Sequence, residues 1–272
     1  MTDIAASPPV LAAAPRFSTG RTLSLSFAVL WRNLWRLSAV AVAVTALQAA
    51  MEFYVPASGT GLVSVGAALL MFAVVTAPVT VAAVQHVRDG RPTFAGMLRD
   101  GLRRIVHVSI GAAILFFVLL VPSGGLLTLG TALGLPEILL LLLIGLAAVY
   151  VFAMFAMWFV AMPVLVTEDV GILSSFRRSR YLTRGHRWAV LALALVLVTI
   201  VVATMMIATI LRLSLIAYAP AQMMLSPWLS LTIVPLGAFS SLMTAIIPAV
   251  AYHLLQAERE GAGTDVLARV FD

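Results

Sequence analysis

Charged positions are rare along this chain, and the gaps between them form its strongest pattern. Residues 37–87 hold one charge, Glu52; residues 105–167 hold one, Glu137; residues 188–257 hold one, Arg212. The three blocks run to 51, 63 and 70 residues. A membrane crossing takes about 20 residues, so each block is too long for one helix and suits two. The lone charges lie near turn chemistry: Pro56-Ala57-Ser58-Gly59, Leu135-Pro136-Glu137, and Ala219-Pro220 with Ser226-Pro227 after Arg212. Each block therefore reads as a helical hairpin, with predicted spans at 37–55, 61–84, 105–121, 138–162, 189–211 and 228–254. Continuous apolar runs such as Ile138–Ala148 and Ala189–Ala203 point to helices, because barrel strands would alternate apolar and polar residues. Pro78, Pro235 and Pro248 fall inside spans, where neighbouring helices must re-satisfy the freed backbone.

A short amphipathic stretch precedes each hairpin. In the first, Leu23, Phe27, Leu30 and Leu34 recur at helical spacing with Arg32 and Arg36 opposite. In the second, Thr93 is placed to cap a helix behind Pro92. There Phe94, Met97, Leu98, Gly101, Leu102 and Ile105 share one face, and Arg99, Asp100, Arg103 and Arg104 the other. The third carries Ile172, Leu173 and Phe176, then an Arg cluster, then Gly185 as a left-handed helix stop. These stretches are predicted to lie in the headgroup plane, apolar face down. They open near Gly20, Gly90 and Gly171, at spacings of 70 and 81 residues, which suggests three related modules.

Composition agrees with this layout. Of 272 residues, 62% are hydrophobic and 10% charged, and mean hydropathy is +1.08. Soluble domains are about 25% charged, so an ordinary globular enzyme is excluded, as is a disordered chain. All 17 basic residues are Arg. Sixteen of them fall in the N-terminal arm, the second and fourth loops and the C-terminal tail, leaving only Arg212 opposite. By the positive-inside rule both termini are cytoplasmic. Trp31, Trp35, Trp188 and Trp228 fall at span ends as an interfacial belt, with Trp158 within a turn of one. Residues 1–15 read as a disordered tail, 16–255 as a single six-helix membrane domain and 256–272 as a cytoplasmic tail. The predicted fold is an all-α polytopic membrane protein of six transmembrane helices in three hairpins, each preceded by a cytoplasmic amphipathic interface helix.

Three segments resemble the glycerophosphoryl diester phosphodiesterase membrane-domain family. They are Phe17-Ser18-Thr19-Gly20 with Leu23, Ser24, Phe27 and Asn33; Pro163, Val166, Glu168, Gly171, Arg178-Ser179, Leu182-Thr183-Arg184-Gly185 and Trp188; and Tyr252, Leu255 and Arg259-Glu260-Gly261. The chain departs from the family pattern at Arg180 and Tyr181, where an aromatic and an acid are usual, and at Leu254 and Gln256. The family takes its name from chains that fuse this membrane region to a soluble phosphodiesterase barrel. Too few residues remain outside the predicted spans to hold such a barrel. The resemblance implies a free-standing membrane region of the bacterial inner membrane, without the barrel's activity.

Catalytic chemistry is sparse. There is no Cys, and so no disulfide, thiolate metal site or cysteine nucleophile. His86, His107, His186 and His253 lie at span ends, with no His-Glu-x-x-His pair. Ser123-Gly124-Gly125 has no His predicted on its side to act as base. Gly261–Asp265 reads as a loop, and no span carries an acid or base near its midplane. No cofactor, metal or nucleic acid is expected. Chemical character concentrates in Arg177, Arg178, Arg180, Arg184 and Arg187, with Arg99, Arg103 and Arg104 in the second loop. Guanidinium forks suit phosphate oxygens, and each basic residue beside a span gains about 1 kcal/mol from anionic headgroups. The plainer alternative, which the sequence favours, is that these residues only set topology. The function expected is non-enzymatic: engagement of anionic phospholipid or an envelope partner through the Arg face. The alternatives are a permease or lipid or small-solute transporter, and a membrane-embedded accessory to phosphodiester metabolism.

Overall fold

The computed structural model describes residues 17–54, 61–89, 93–168, 170–218 and 233–271. Nine helices form these segments: α1 (Thr19–Arg32), α2 (Leu34–Tyr54), α3 (Gly61–Asp89), α4 (Phe94–Ala132), α5 (Glu137–Met157), α6 (Ala161–Thr167), α7 (Ile172–Thr183), α8 (Arg187–Tyr218) and α9 (Val234–Phe271). Among the described residues five stretches are long and apolar enough to cross a membrane: Val65–Arg88, Phe94–Ala132, Glu137–Thr167, Arg187–Leu215 and Val234–Glu260. A sixth arises if α1 and the start of α2, bent by 85°, count as one. On α5, Ile138, Leu141, Leu142, Leu146 and Val149 are each at least 60% exposed. A helix apolar all round yet hardly buried needs an apolar surrounding. The chain is a multi-pass membrane protein.

The core lies between α3 and α9, the most buried of the long helices. Small residues line it, including Ala73, Ala77 and Ala83 on α3 and Ala245, Ala249 and Ala251 on α9. Without a hydrophobic force between helices in lipid, close approach of small residues is what packing depends on. The α3–α4 crossing shows this most sharply. A Cβ on Gly101 would stand 2.6 Å from the Pro78 Cα, so only glycine lets α4 meet the proline turn of α3.

Three helix starts recur at similar spacing along the chain. Ser18, Thr93 and Gly171 occupy the N-cap positions of α1, α4 and α7, at intervals of 75 and 78 residues. Ser18 Oγ accepts from the Arg21 amide and Thr93 Oγ1 from the Gly96 amide, each at 3.3 Å. Four and eight residues past each cap the chain is buried: Thr22 and Ser26, Met97 and Gly101, Ser175 and Ser179. Pro78, Pro163 and Pro248 recur at intervals of 85 residues. Each capped helix packs on the proline-bearing helix before it, α4 on α3 and α7 on α6, while α1 packs on α9 and closes the cycle.

Several expectations need correction. The second amphipathic stretch is not a separate helix, because α4 runs unbroken from Phe94 to Ala132. Gly101 is consumed by the contact with Pro78, and the chain first turns at Gly134, with φ of +62°, before Pro136. Ser123-Gly124-Gly125 thus lies inside α4, where Ser123 Oγ donates to the Leu119 carbonyl at 2.7 Å. On α1 the buried face is Thr22, Ser26, Val29 and Leu30, while Phe27 and Trp31 are exposed. Two of its hydroxyls are thus buried against protein while two of its aromatic rings face outward, as suits a helix whose surroundings are lipid. On α7, Leu173 is exposed while Phe176 is buried. Gly261–Asp265 is helical within α9, since single glycines cost only about 1 kcal/mol each in a helix. Gly185 does stop α7's segment in the left-handed region, with φ of +98°. Residues 1–16, the turns at 56–59 and 219–227, Arg91, Trp228 and the side chains of Glu52 and Arg269 lie outside what is described.

Candidate functional site

Glu168 is the centre around which the two Arg-rich loops meet. It follows α6, whose last turn is closed by Thr167 Oγ1 donating to the Pro163 carbonyl at 2.7 Å. Arg178, on α7, donates from Nε to Glu168 Oε1 at 3.2 Å, and from Nη2 to Glu260 Oε1 on α9. Tyr252 Oη, also on α9, donates to Glu168 Oε1 at 3.0 Å. From α4, Arg104 Nη1 reaches the Glu168 carbonyl at 3.4 Å. Four helical segments are thus tied at one residue, two of them through its carboxylate and α4 through its backbone carbonyl. Burial works against the Arg178 charge, but its bonds to Glu260 and Glu168 outweigh that and hold its pKa above the ordinary arginine value.

A second contact locks the end of α9 beside it. His186 Nε2 lies 3.5 Å from Glu258 Oε1, and Glu258 Oε2 accepts from the Phe17 amide at 2.8 Å. The Phe17 and His186 rings meet edge to face with centroids 5.5 Å apart. Arg259 donates from Nη2 to the Arg184 carbonyl, and its guanidinium lies 4.7 Å from the Tyr181 ring centroid. The Tyr181 face also receives Arg178, at 5.9 Å. At the α1–α2 elbow, Asn33 Nδ2 donates to the Val29 carbonyl at 3.0 Å and stands 3.1 Å from His86 Nδ1 on α3. All three segments that carry the family resemblance therefore converge at this end of the bundle.

The eight Arg residues singled out from sequence divide into two groups. Arg178 and Arg104 face inward and bind the protein to itself. Arg177, Arg180, Arg184 and Arg187 stay exposed on and after α7, and Arg99 and Arg103 on the first turns of α4. Beside them Tyr181 and Trp188 are also exposed, as are Trp31, Arg32, Trp35 and Arg36 at the α1–α2 elbow. Sequence reasoning missed Glu258 as the partner of His186 and Phe17, and Tyr181 as a platform for two guanidiniums. One signal was there to use: Glu168 and Glu258 are the acids that end two of the apolar blocks, each set among arginines.

Two cavities open between the helices. One of about 330 Å³ lies among α3, α4, α5, α6, α8 and α9, and its walls are almost wholly apolar. The other, of about 350 Å³, lies among α2, α8 and α9 and is lined by Gln48, Thr204, Arg212, Ser240 and Ser241 among others. Among the described residues no three His, Asp or Glu side chains are grouped to hold a metal ion. No family model, curated protein or solved structure matches the chain.

Proposed function

We propose that this chain is a non-enzymatic protein of the bacterial inner membrane that engages anionic phospholipid headgroups through its Arg-rich end. In this reading six crossings form three hairpins, both termini are cytoplasmic, and α1, the start of α4 and α7 lie at the cytoplasmic interface. The observation that carries it is the division of labour among the arginines. Arg178 and Arg104 are spent on internal contacts, whereas Arg177, Arg180, Arg184 and Arg187 project outward beside exposed Trp188 and Tyr181. An arginine needed only for topology requires no aromatic neighbour. Aromatic belts and guanidinium forks together suit the headgroup layer and its phosphates. The resemblance to the glycerophosphoryl diester phosphodiesterase membrane-domain family points the same way, since a phospholipid headgroup is itself a phosphodiester. An acidic envelope partner would use the same face.

The test is the lipid retained by the purified protein. Replacing Arg177, Arg180, Arg184 and Arg187 together by Gln should lower retained anionic lipid several-fold by native mass spectrometry, leaving zwitterionic lipid unchanged. Equal anionic lipid on both proteins would reject the proposal.

A second reading, a carrier for lipid or a small solute, is favoured by the arrangement of the two cavities. Ser240 and Ser241 line one and Thr244 and Ala245 the other, on adjoining turns of α9. A carrier should move lipid or solute across reconstituted vesicles faster than protein-free ones, and unchanged flux would set this reading aside.

A further inference from the structure

The apolar cavity lies directly beneath the Arg-bearing helix. Trp158 forms part of its wall and meets Phe176 of α7 edge to face at 5.1 Å, while Ser179 Oγ of α7 donates to the Met157 carbonyl at 3.0 Å. Pro248, another wall residue, sits four residues before Tyr252 on α9, or about 6 Å by helical rise, and Tyr252 bonds Glu168. Arg180 follows Phe176 by four residues, so it extends from the same side of α7. Leu120 lies on the rim and is 47% exposed, which opens the cavity sideways toward the surroundings of the bundle.

One polar group inside is out of keeping with the rest. Thr80, on α3, is 0% exposed, and its hydroxyl has no hydrogen-bond partner among the described residues. Thr45, Thr167, Thr204 and Thr244 each donate to the carbonyl four residues earlier. That local bond is the default for a helical threonine, and a buried hydroxyl left without it costs about 1–3 kcal/mol. Thr80 is therefore a buried donor without a partner in the wall of the cavity, which Thr76 and Thr244 also line.

We propose that this cavity holds one acyl chain of a membrane phospholipid, with the Thr80 hydroxyl donating to a carbonyl oxygen at the head of that chain. The proposal rests on the reading that the exposed arginines of α7 hold the headgroup above it. An apolar cavity of about 150 Å³ accommodates a benzene-sized guest, so 330 Å³ suits a chain of roughly twelve carbons on that scale. Lipid tails are as apolar as leucine, so burial alone gives a tail no preference for the cavity over the bilayer. Preference must come from shape and from the two polar anchors, Thr80 inside and guanidinium above. Dispersion supplies the shape term, because walls without a partner atom forfeit their contacts.

Trp158 provides the probe. With Trp31, Trp35, Trp188 and Trp228 replaced by Phe, its fluorescence is followed in vesicles containing a rising fraction of phosphatidylglycerol with brominated acyl chains. Quenching should saturate at a small mole fraction, and Ala112→Phe, which fills the cavity, should remove the saturable part. Thr80→Val keeps the shape and removes the unpaired hydroxyl. It should fold at least as stably as the parent while raising the half-saturating fraction about fivefold. Quenching that merely tracks the bulk bromine content, in parent and Ala112→Phe alike, would overturn the proposal. So would a Thr80→Val protein with unaltered half-saturation. If brominated phosphatidylcholine saturates equally well and Ala112→Phe still abolishes the effect, the chain site stands and the anionic-headgroup reading falls.

Discussion

Arg178→Gln removes the guanidinium that ties α7 to Glu168 and Glu260 while leaving a side chain of similar length. Glu168 would then keep Tyr252 as a donor but lose its countercharge. Exposed ion pairs contribute about 0.2–1 kcal/mol, whereas stripping one partner from a fully buried pair costs about 3–5 kcal/mol. The Arg178 and Glu168 side chains are 28% and 20% exposed, which places this pair between those limits. The expected loss is therefore about 2 kcal/mol, which includes the weakened stacking on Tyr181. For a chain of this size that corresponds to a fall in Tm of roughly 4–8 °C. The assay is thermal unfolding in one mild detergent at fixed lipid content, with exposed Arg177→Gln as the control, expected to change stability by no more than about 0.5 kcal/mol. Adding Glu168→Gln to Arg178→Gln should recover part of the loss, because the less exposed carboxylate is then gone and only the more exposed Glu260 keeps an unpaired charge. The double mutant should fall short of the summed single losses by about 1 kcal/mol or more. A loss for Arg178→Gln no larger than for Arg177→Gln, or strict additivity with Glu168→Gln, would refute the clamp.

Gly101→Ala places a methyl 2.6 Å from the Pro78 backbone, which cannot swing aside as a side chain would. It should cost about 1–3 kcal/mol and lower Tm in the same assay, whereas Gly66→Ala, which meets nothing within 4 Å, should be neutral or stabilising. Asn33→Ala removes both side-chain contacts at the α1–α2 elbow and should cost about 1–3 kcal/mol. Faster proteolysis of the segment before α2 would accompany that loss, and an unchanged digestion rate would show that the elbow is held by other contacts.

Charge spacing made the helical class and the long apolar helices legible, because Glu137, Glu168 and Glu258 border runs that only helices in lipid accommodate. The Leu135-Pro136-Glu137 turn and the Thr93 cap were legible for local reasons, since proline ends a helix approach and threonine satisfies a free amide. Apolar periodicity at α1 marks a face that prefers hydrocarbon, and in a membrane both lipid and protein satisfy that preference, so it could not foretell that Phe27 is exposed while Leu30, Thr22 and Ser26 are buried. The continuity of α4 was hidden because the amphipathic stretch before residue 105 and the apolar run after it differ in character, although both keep a helical period. Of the candidate site, sequence marked the arginines but could not sort them. Whether Arg178 or Arg177 pairs with Glu168 depends on the rotation of α7, which Phe176 and Ser179 set by packing on Trp158 and Met157. The cavity was invisible from sequence, because it is formed by six helices drawn from distant parts of the chain.

The account depends most on the Arg-rich end facing the cytoplasm, and the absence of cysteine makes that directly measurable. Single cysteines at Asp100, Ser174 and Leu133 can be tested in intact spheroplasts with a membrane-impermeant maleimide. Leu133→Cys, in the link between α4 and α5, should label fully before lysis. Asp100→Cys and Ser174→Cys, at the Arg-rich end, should label only after it. Labelling of Asp100→Cys or Ser174→Cys in intact cells would place the arginines outside and contradict the proposed function.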